Sequence, residues 1–300
     1  MIKKIVFILF VAAAIPTWLT AQDSAVAAVR YKFVHIDDTT QRDRPLTSNM
    51  ILYLGNHVSN YTNYDRVLRA ANPQAAPRIT SMGTMSGGTF SGTLSSGTIS
   101  GGASPSNNIV ISSLSGAMGQ IGNYYKRVEE GKLSLISFAG GKVFSIDEAI
   151  PTINWTITQD TKDIGGMSCQ KATAMFRGRD YEAWFCSQLP YSNGPWKLGG
   201  LPGLIMEAYD TKKEVMFTFT AFEGTMEKHV AIDLPKEVLK TTPKEFKQYQ
   251  EALQRDREAN KGSANSAMGD VRIVVSGTLA GPDGKPIKPK QMNNPIEKEN

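Results

Sequence analysis

Few residues in this chain have the type and spacing for chemistry. Cys169 and Cys186 are the two cysteines, and His35, His57 and His229 the three histidines. A catalytic thiol needs a base held beside it, and none of these histidines forms a local motif with either cysteine. Two cysteines and three dispersed histidines also make a poor zinc donor set, so no metal site is expected. The remaining polar candidates lie in "FRGRDYEAW". There Arg177, Arg179, Asp180 and Glu182 would hold a polar ligand, or act as acid and base if one were buried beside another. At a hairpin tip they are more simply solvated turn residues. The acidic pairs Asp37–Asp38, Glu129–Glu130 and Asp147–Glu148 are sequence neighbours, which in a strand point to opposite faces, so none is a carboxylate dyad by itself.

A second candidate is built for binding rather than catalysis. "GPWKLGGLPGLIMEAYD" (194–210) places Gly194, Pro195, Gly199, Gly200, Pro202 and Gly203 in its first ten positions, then turns apolar. It lies between two strand-like runs. Proline removes a ladder donor and glycine permits positive φ, so this connection leaves the sheet and re-enters it along a defined path. That accounts for a structural corner without a ligand. Trp196 and Lys197 stand on the connection with Tyr191 nearby, and an ordered loop bearing an aromatic and a cation is where binding residues are often presented. Trp196, Lys197, Trp184, Arg179 and Tyr191 are the candidate ligand-binding residues, with Trp155 a further aromatic contact.

The elements that position these residues start after an N-terminal leader. Lys3 and Lys4 precede an apolar run from Ile5 to Ile15, too short to span a bilayer, and Ala21 with Leu19 suits signal peptidase. Residues 1–21 read as a secretory signal peptide, leaving an exported chain with no transmembrane anchor after cleavage. Its loss takes the formal net charge from +5 to +3. The basic residues are scattered and no stripe interleaves them with aromatics, so no nucleic-acid partner is expected. No cofactor motif is present.

Export places the cysteines in an oxidising compartment. "CQKATAMFRGRDYEAWFC" reads as a hairpin with Arg177 and Gly178 at its turn, which sets Cys169 opposite Cys186 at disulfide spacing. With Gly178 and Arg179 as the turn instead, the cysteines fall on a diagonal. Strand signals recur along the chain: 25–36, 49–55, and many short runs from Ile121 onward separated by Gly, Asp and Lys turns. "YTNYDRVLRAA" reads as a short helix or a loop. The fold class is therefore mainly β: a curved antiparallel sheet, two-layered or a half-barrel, with one helix of the C-terminal region packed on it. That helix begins at a capping box, Thr242-Pro243-Lys244-Glu245, and carries Phe246, Tyr249 and Leu253 as a narrow apolar stripe. A last strand is expected in "GDVRIVVSGTLAG", followed by an extended Pro/Lys-rich tail (281–300), mobile at its end.

One stretch is unlike the rest. At about 80–108, GTMSG, GTFSG, GTLSS and GTISG follow one another with one apolar residue each, too few to offset the entropy of ordering, so this reads as a mobile insertion in a single domain spanning 22–297. None of its serines sits in Gly-x-Ser-x-Gly, so a hydrolase nucleophile elbow is not supported.

"GGLPGLI" (199–205), with "CQKATAMFRGRDYEAWF" and "GPWKLGGLPGLI" upstream and "NNPIE" (293–297) near the end, resembles the GLPGLI family. The resemblance covers roughly Ala25 to Glu297 and is most specific from Trp155 to Asp210; the Gly/Ser/Thr repeat is outside the family's pattern. It implies an exported protein of Bacteroidetes and, as a class, no established activity. "DSA" at Asp23 and "DTT" at Asp38 likewise resemble the short O-glycosylation acceptor pattern of Bacteroidetes.

Two functions follow as expectations. The first is a non-catalytic cell-envelope protein of periplasm or surface, binding an envelope protein, peptide, glycan or lipid. An apolar cleft under the sheet would favour lipid; a flat, wet aromatic face would favour the others. The second is a secreted hydrolase using carboxylates or a histidine brought together by the fold. The absence of a nucleophile, metal or cofactor motif favours the first.

Overall fold

The structure, a computed structural model, describes residues 23–72, 122–226, 229–259 and 290–298. The Gly/Ser/Thr insertion, the leader and the strand expected in "GDVRIVVSGTLAG" lie outside these residues.

Alternation of apolar and polar residues builds the sheet. In β1 (Ala27–His35), Ala27, Val29, Tyr31 and Phe33 are buried on one face, as period-two geometry requires. The chain continues through β2 (Leu46–Leu54), β3 (Val58–Asn63), α1 (Tyr64–Ala71), β4 (Asn123–Arg127), β5 (Lys132–Ala139), β6 (Lys142–Ala149), β7 (Thr156–Ile164), β8 (Met167–Phe176), β9 (Arg179–Cys186), β10 (Leu204–Asp210), β11 (Val215–Glu223), β12 (Leu239–Thr241) and α2 (Pro243–Ala259). "YTNYDRVLRAA" splits between strand and helix because the Asn63 side chain accepts the Arg66 N–H and caps α1.

The twelve strands of the described residues form one open sheet in the order β12-β6-β5-β4-β3-β2-β1-β11-β10-β9-β8-β7. Neighbours are antiparallel except the short edge strand β12, which runs parallel to β6. The sheet curls strongly. β6 and β9 stand eight strand spacings apart in that order, roughly 38 Å if the sheet were flat. Yet Arg177, at the β8–β9 turn, reaches Glu148 on β6 at 3.2 Å.

The concave face holds the main core, from Val29, Tyr31 and Leu52 to Phe185, Leu204 and Phe217. Behind β1–β4 a second layer forms where Ile51, Tyr53 and Tyr125 meet Val67 of α1 and Ile232. α2 opens with the expected capping box, Thr242 N–H donating to Glu245 Oε2 at 2.9 Å and Glu245 N–H to Thr242 Oγ1 at 3.3 Å. Phe246 and Tyr249 pack on Phe144 of β6, and Leu253 meets Gly140 at the β5–β6 turn.

The β8–β9 hairpin has the expected register. Phe176 pairs with Arg179 around a turn in which Arg177 and Gly178 both have positive φ, and Gln170 pairs with Phe185. Cys169 and Cys186 therefore face each other. Both are buried free thiols here, and the expected bond between them is not formed in this structure. The expected C-terminal extended segment is tied into the domain over residues 290–298, through His35, Asp37, Arg177, Arg179, Lys197 and Glu214.

Candidate functional site

The connection 187–203 leaves β9, crosses the inside of the curl and returns as β10. Asn193 shows the crossing: its Nδ2 donates to Ser59 Oγ on β3 at 2.8 Å, and its Oδ1 accepts from Lys126 on β4 at 2.8 Å. A loop inside a protein must satisfy its own backbone. Here Lys126 Nζ donates to the carbonyls of Gly194 (3.1 Å) and Leu198 (2.5 Å), Trp155 Nε1 to Gly199 (2.9 Å) and the Tyr31 hydroxyl to Ile205 (2.7 Å). Lys126 has no carboxylate among these partners, and burial pulls its ammonium down to about 7.

Trp196 is the plug of this loop. It is 2% exposed, stacked on Phe217 with centroids 6.3 Å apart and edge-on to Phe176 at 5.7 Å. Its φ of +54° is left-handed, a conformation that packing on every side over-determines. Lys197 is buried too, between Glu148 (2.5 Å) and Glu297 (2.6 Å); Arg177 joins the same two carboxylates at 3.2 and 3.5 Å. Glu148 thus points inward, while its neighbour Asp147 accepts from Ser134 and Ser145.

Arg179 lies at the bottom of a second polar cluster at one end of the curl. A guanidinium has five N–H donors, and all five are used within the chain. NH1 binds Asp210 (2.6 Å) and Glu214 (3.1 Å), NH2 binds Asn294 Oδ1 (2.7 Å) and the Pro295 carbonyl (2.6 Å), and Nε binds the Ile296 carbonyl (2.9 Å). Burial acts to raise the Glu214 carboxyl, but bonds from Arg42, Arg179 and Asn294 outweigh it and hold it below its ordinary value. His35, at the end of β1, donates Nε2–H to the Asn294 carbonyl at 2.7 Å, and its buried Nδ1 has no partner. Burial, assisted by Arg179, keeps this imidazole below its ordinary pKa and neutral.

The five candidate ligand residues are therefore dispersed. Trp196, Lys197 and Arg179 are internal and fully engaged. Trp184 is 9% exposed and belongs to the main core cluster, its Nε1 donating to the Tyr209 hydroxyl at 3.2 Å and Lys162 Nζ lying 4.5 Å from its ring centroid. Tyr191 is half-buried beside the main core. The sequence reading missed Lys126, Asp210, Glu214 and Asn294. The motif "NNPIE" was the one sign that the last of these mattered. His57 pairs with Glu129 and His229 with Ser24, both in exposed positions. Asp23 caps the β2–β3 turn through the N–H groups of Asn56, His57 and Val58. Among the described residues no group of histidine, cysteine and acidic side chains is arranged to hold a metal ion, and no helix is long and apolar enough to cross a membrane.

Residues 177–207 match a family described as a protein of unknown function (Porph_ging), a span that ends within β10. No curated protein matches the chain. Among solved structures the chain is similar to PNGF-II in two space groups, at 13% identity and TM-score 0.46 over 77% of this chain and 33% of that one, and at 12% and 0.45 over 75% and 32%. The chain thus spans about a third of the length of those PNGF-II chains.

Proposed function

We propose that this chain is an exported, non-catalytic cell-envelope domain that binds a protein, peptide or glycan on the outside of its sheet. The observation that carries this reading is that connection 187–203 fills the concave face with Trp196, Leu198 and Leu201, each at most 2% exposed. A lipid held under the curl would have to displace the protein's own core. The groups a hydrolase would use are spent on one another: Asp210 and Glu214 converge on one guanidinium, that of Arg179. Outside, Tyr209 and the partly exposed ion pairs Lys162–Glu207 and Lys171–Glu182 make an aromatic and charged face on β7–β10, with the buried Trp184 beneath Lys162. The leader and the resemblance to the GLPGLI family support export.

The test is a pull-down of the mature protein from its own cell envelope, with mass spectrometry of retained protein, glycan and lipid. A specific partner lost in Lys162→Glu and in Trp184→Ala, both still folded, supports the reading. Retention of lipid alone, or a partner indifferent to both substitutions, refutes it. One observation favours hydrolysis as a second reading: the unpartnered Nδ1 of His35 lies in a cluster with Asp210 and Glu214. Turnover of a peptide, ester or glycoside that is lost in folded His35→Gln would move the assignment there.

A further inference from the structure

Residues 290–298 lie across one end of the sheet as an extended peptide, and they are read by sequence. Both ends of the Asn294 amide are used, Nδ2 donating to the Ile36 carbonyl (2.7 Å) and Glu214 (3.1 Å), Oδ1 accepting from Arg179. An aspartate would set a carboxylate against Glu214, and a glutamine would be one methylene too long. Pro295 has no N–H to satisfy, and its carbonyl meets Arg179. Ile296 is 4% exposed within the main core, and Glu297 takes Lys197 and Arg177. The backbone adds Asn294 N–H to the Asp37 carbonyl (3.1 Å) and Lys298 N–H to the Arg177 carbonyl (3.0 Å).

The receiving surface is organised without the segment. Asp210 is held by the Glu214 and Val215 N–H groups at 2.6 and 2.9 Å, and Asp210 with Glu214 orients Arg179, whose other three donors face the peptide. The thirty residues 260–289 separate α2 from the segment, a contour of up to about 100 Å, so the covalent link does not oblige the segment to fold back on its own domain. We propose that this groove is a peptide-recognition site for an Asn-Pro-Ile-Glu segment, and that the C-terminal segment of a second copy of the chain is its exchangeable occupant. The inference is independent of the outer-face partner above.

The test uses the full chain and a fluorescent peptide of residues 290–300, read by anisotropy. In the parent the groove is filled in cis at millimolar effective concentration, so added peptide competes poorly. Asn294→Ala weakens the resident segment, and this chain binds the peptide at least about tenfold more tightly than the parent. The gain is lost when the peptide itself carries Asn294→Ala, or when the chain also carries Arg179→Gln. Mixing full-length Asn294→Ala with full-length Arg179→Gln, one bringing an intact groove and the other an intact segment, gives a heterodimer by native mass spectrometry. Folded Asn294→Ala that ignores the peptide overturns the site. Peptide binding without heterodimer overturns the exchange. If Asn294→Ala is unfolded, recovery of its far-UV circular dichroism on adding peptide supports the site, and no recovery overturns it.

Discussion

Trp196→Ala tests whether the connection 187–203 is core. Burying a tryptophan removes about 200 Å² from water, worth up to about 5 kcal/mol at about 25 cal/mol/Å². Since Trp196 is 2% exposed and packed between Phe217 and Phe176, nearly all of that is lost on truncation. Core Trp→Ala changes cost about 3–5 kcal/mol, and alanine keeps the strain of the +54° φ, so no relief offsets the cavity. With a urea m-value of about 2.5 kcal/mol/M, the unfolding midpoint falls by about 1.2–2 M at unchanged m. The assay is urea unfolding followed by far-UV circular dichroism, with Phe138→Ala as the control. Phe138 is 67% exposed, and its loss shifts the midpoint by no more than about 0.2 M. A Trp196→Ala midpoint within about 0.4 M of the parent, at the same m, refutes the assignment of this loop to the core.

Three further outcomes follow from the same geometry. Under the proposed export, protein unfolded and alkylated without reductant takes up no label because Cys169 and Cys186 are bonded, whereas two labelled thiols exclude the bond. Unfolding before alkylation is essential, because burial and the neighbouring Cys186 push the Cys169 thiol up to about 12 and leave it unreactive in the fold. Gly203→Ala costs at least about 3 kcal/mol and Gly200→Ala about 1 kcal/mol in thermal unfolding. Gly203 combines φ +153° with a site where a Cβ would lie 2.7 Å from the Cys186 carbonyl carbon, while the space around Gly200, φ +86°, is open. Equal costs would show that conformation alone decides. For Lys126, the folded ammonium titrates near 7 and the unfolded one near 10.4, so between those values the unfolded state holds more protons and stability rises with pH. From pH 7.5 to 9.5 the parent gains on Lys126→Met by up to about 1.4 kcal/mol per pH unit, and parallel profiles would mean that the ammonium stays charged throughout.

Local patterns carried much of the fold. The hairpin register followed from two β-favouring runs around Arg177 and Gly178, and the α2 start from Thr242 and Glu245, because both depend on neighbours within a few residues. β12 was not legible: three residues give no periodicity, and their pairing with β6 is parallel and distant in sequence. The burial of the candidate residues was not legible for a related reason. Arg179 looks solvated at a hairpin tip, and its burial comes from Asn294 to Ile296, more than a hundred residues downstream. Trp196 and Lys197 look presented because loops normally run over surfaces, and their burial comes from the curl of the whole sheet around them.

The glycines and prolines of "GPWKLGGLPGLI" make sense as the solution to an internal loop. Such a loop has no ladder partners, so its carbonyls need side-chain donors from the walls, and Lys126, Trp155 and Tyr31 supply them from three different parts of the chain. Meeting those donors demands backbone turns that ordinary residues resist, hence positive φ at Gly200 and Gly203 and strained φ at Trp196. The donors in turn would be left buried and unpaired if the loop withdrew, a cost of about 1–3 kcal/mol for each neutral group and more for a charged Lys126. Withdrawal would therefore lose the packing of Trp196 and the bonds of three walls together, which ties the concave face to folding.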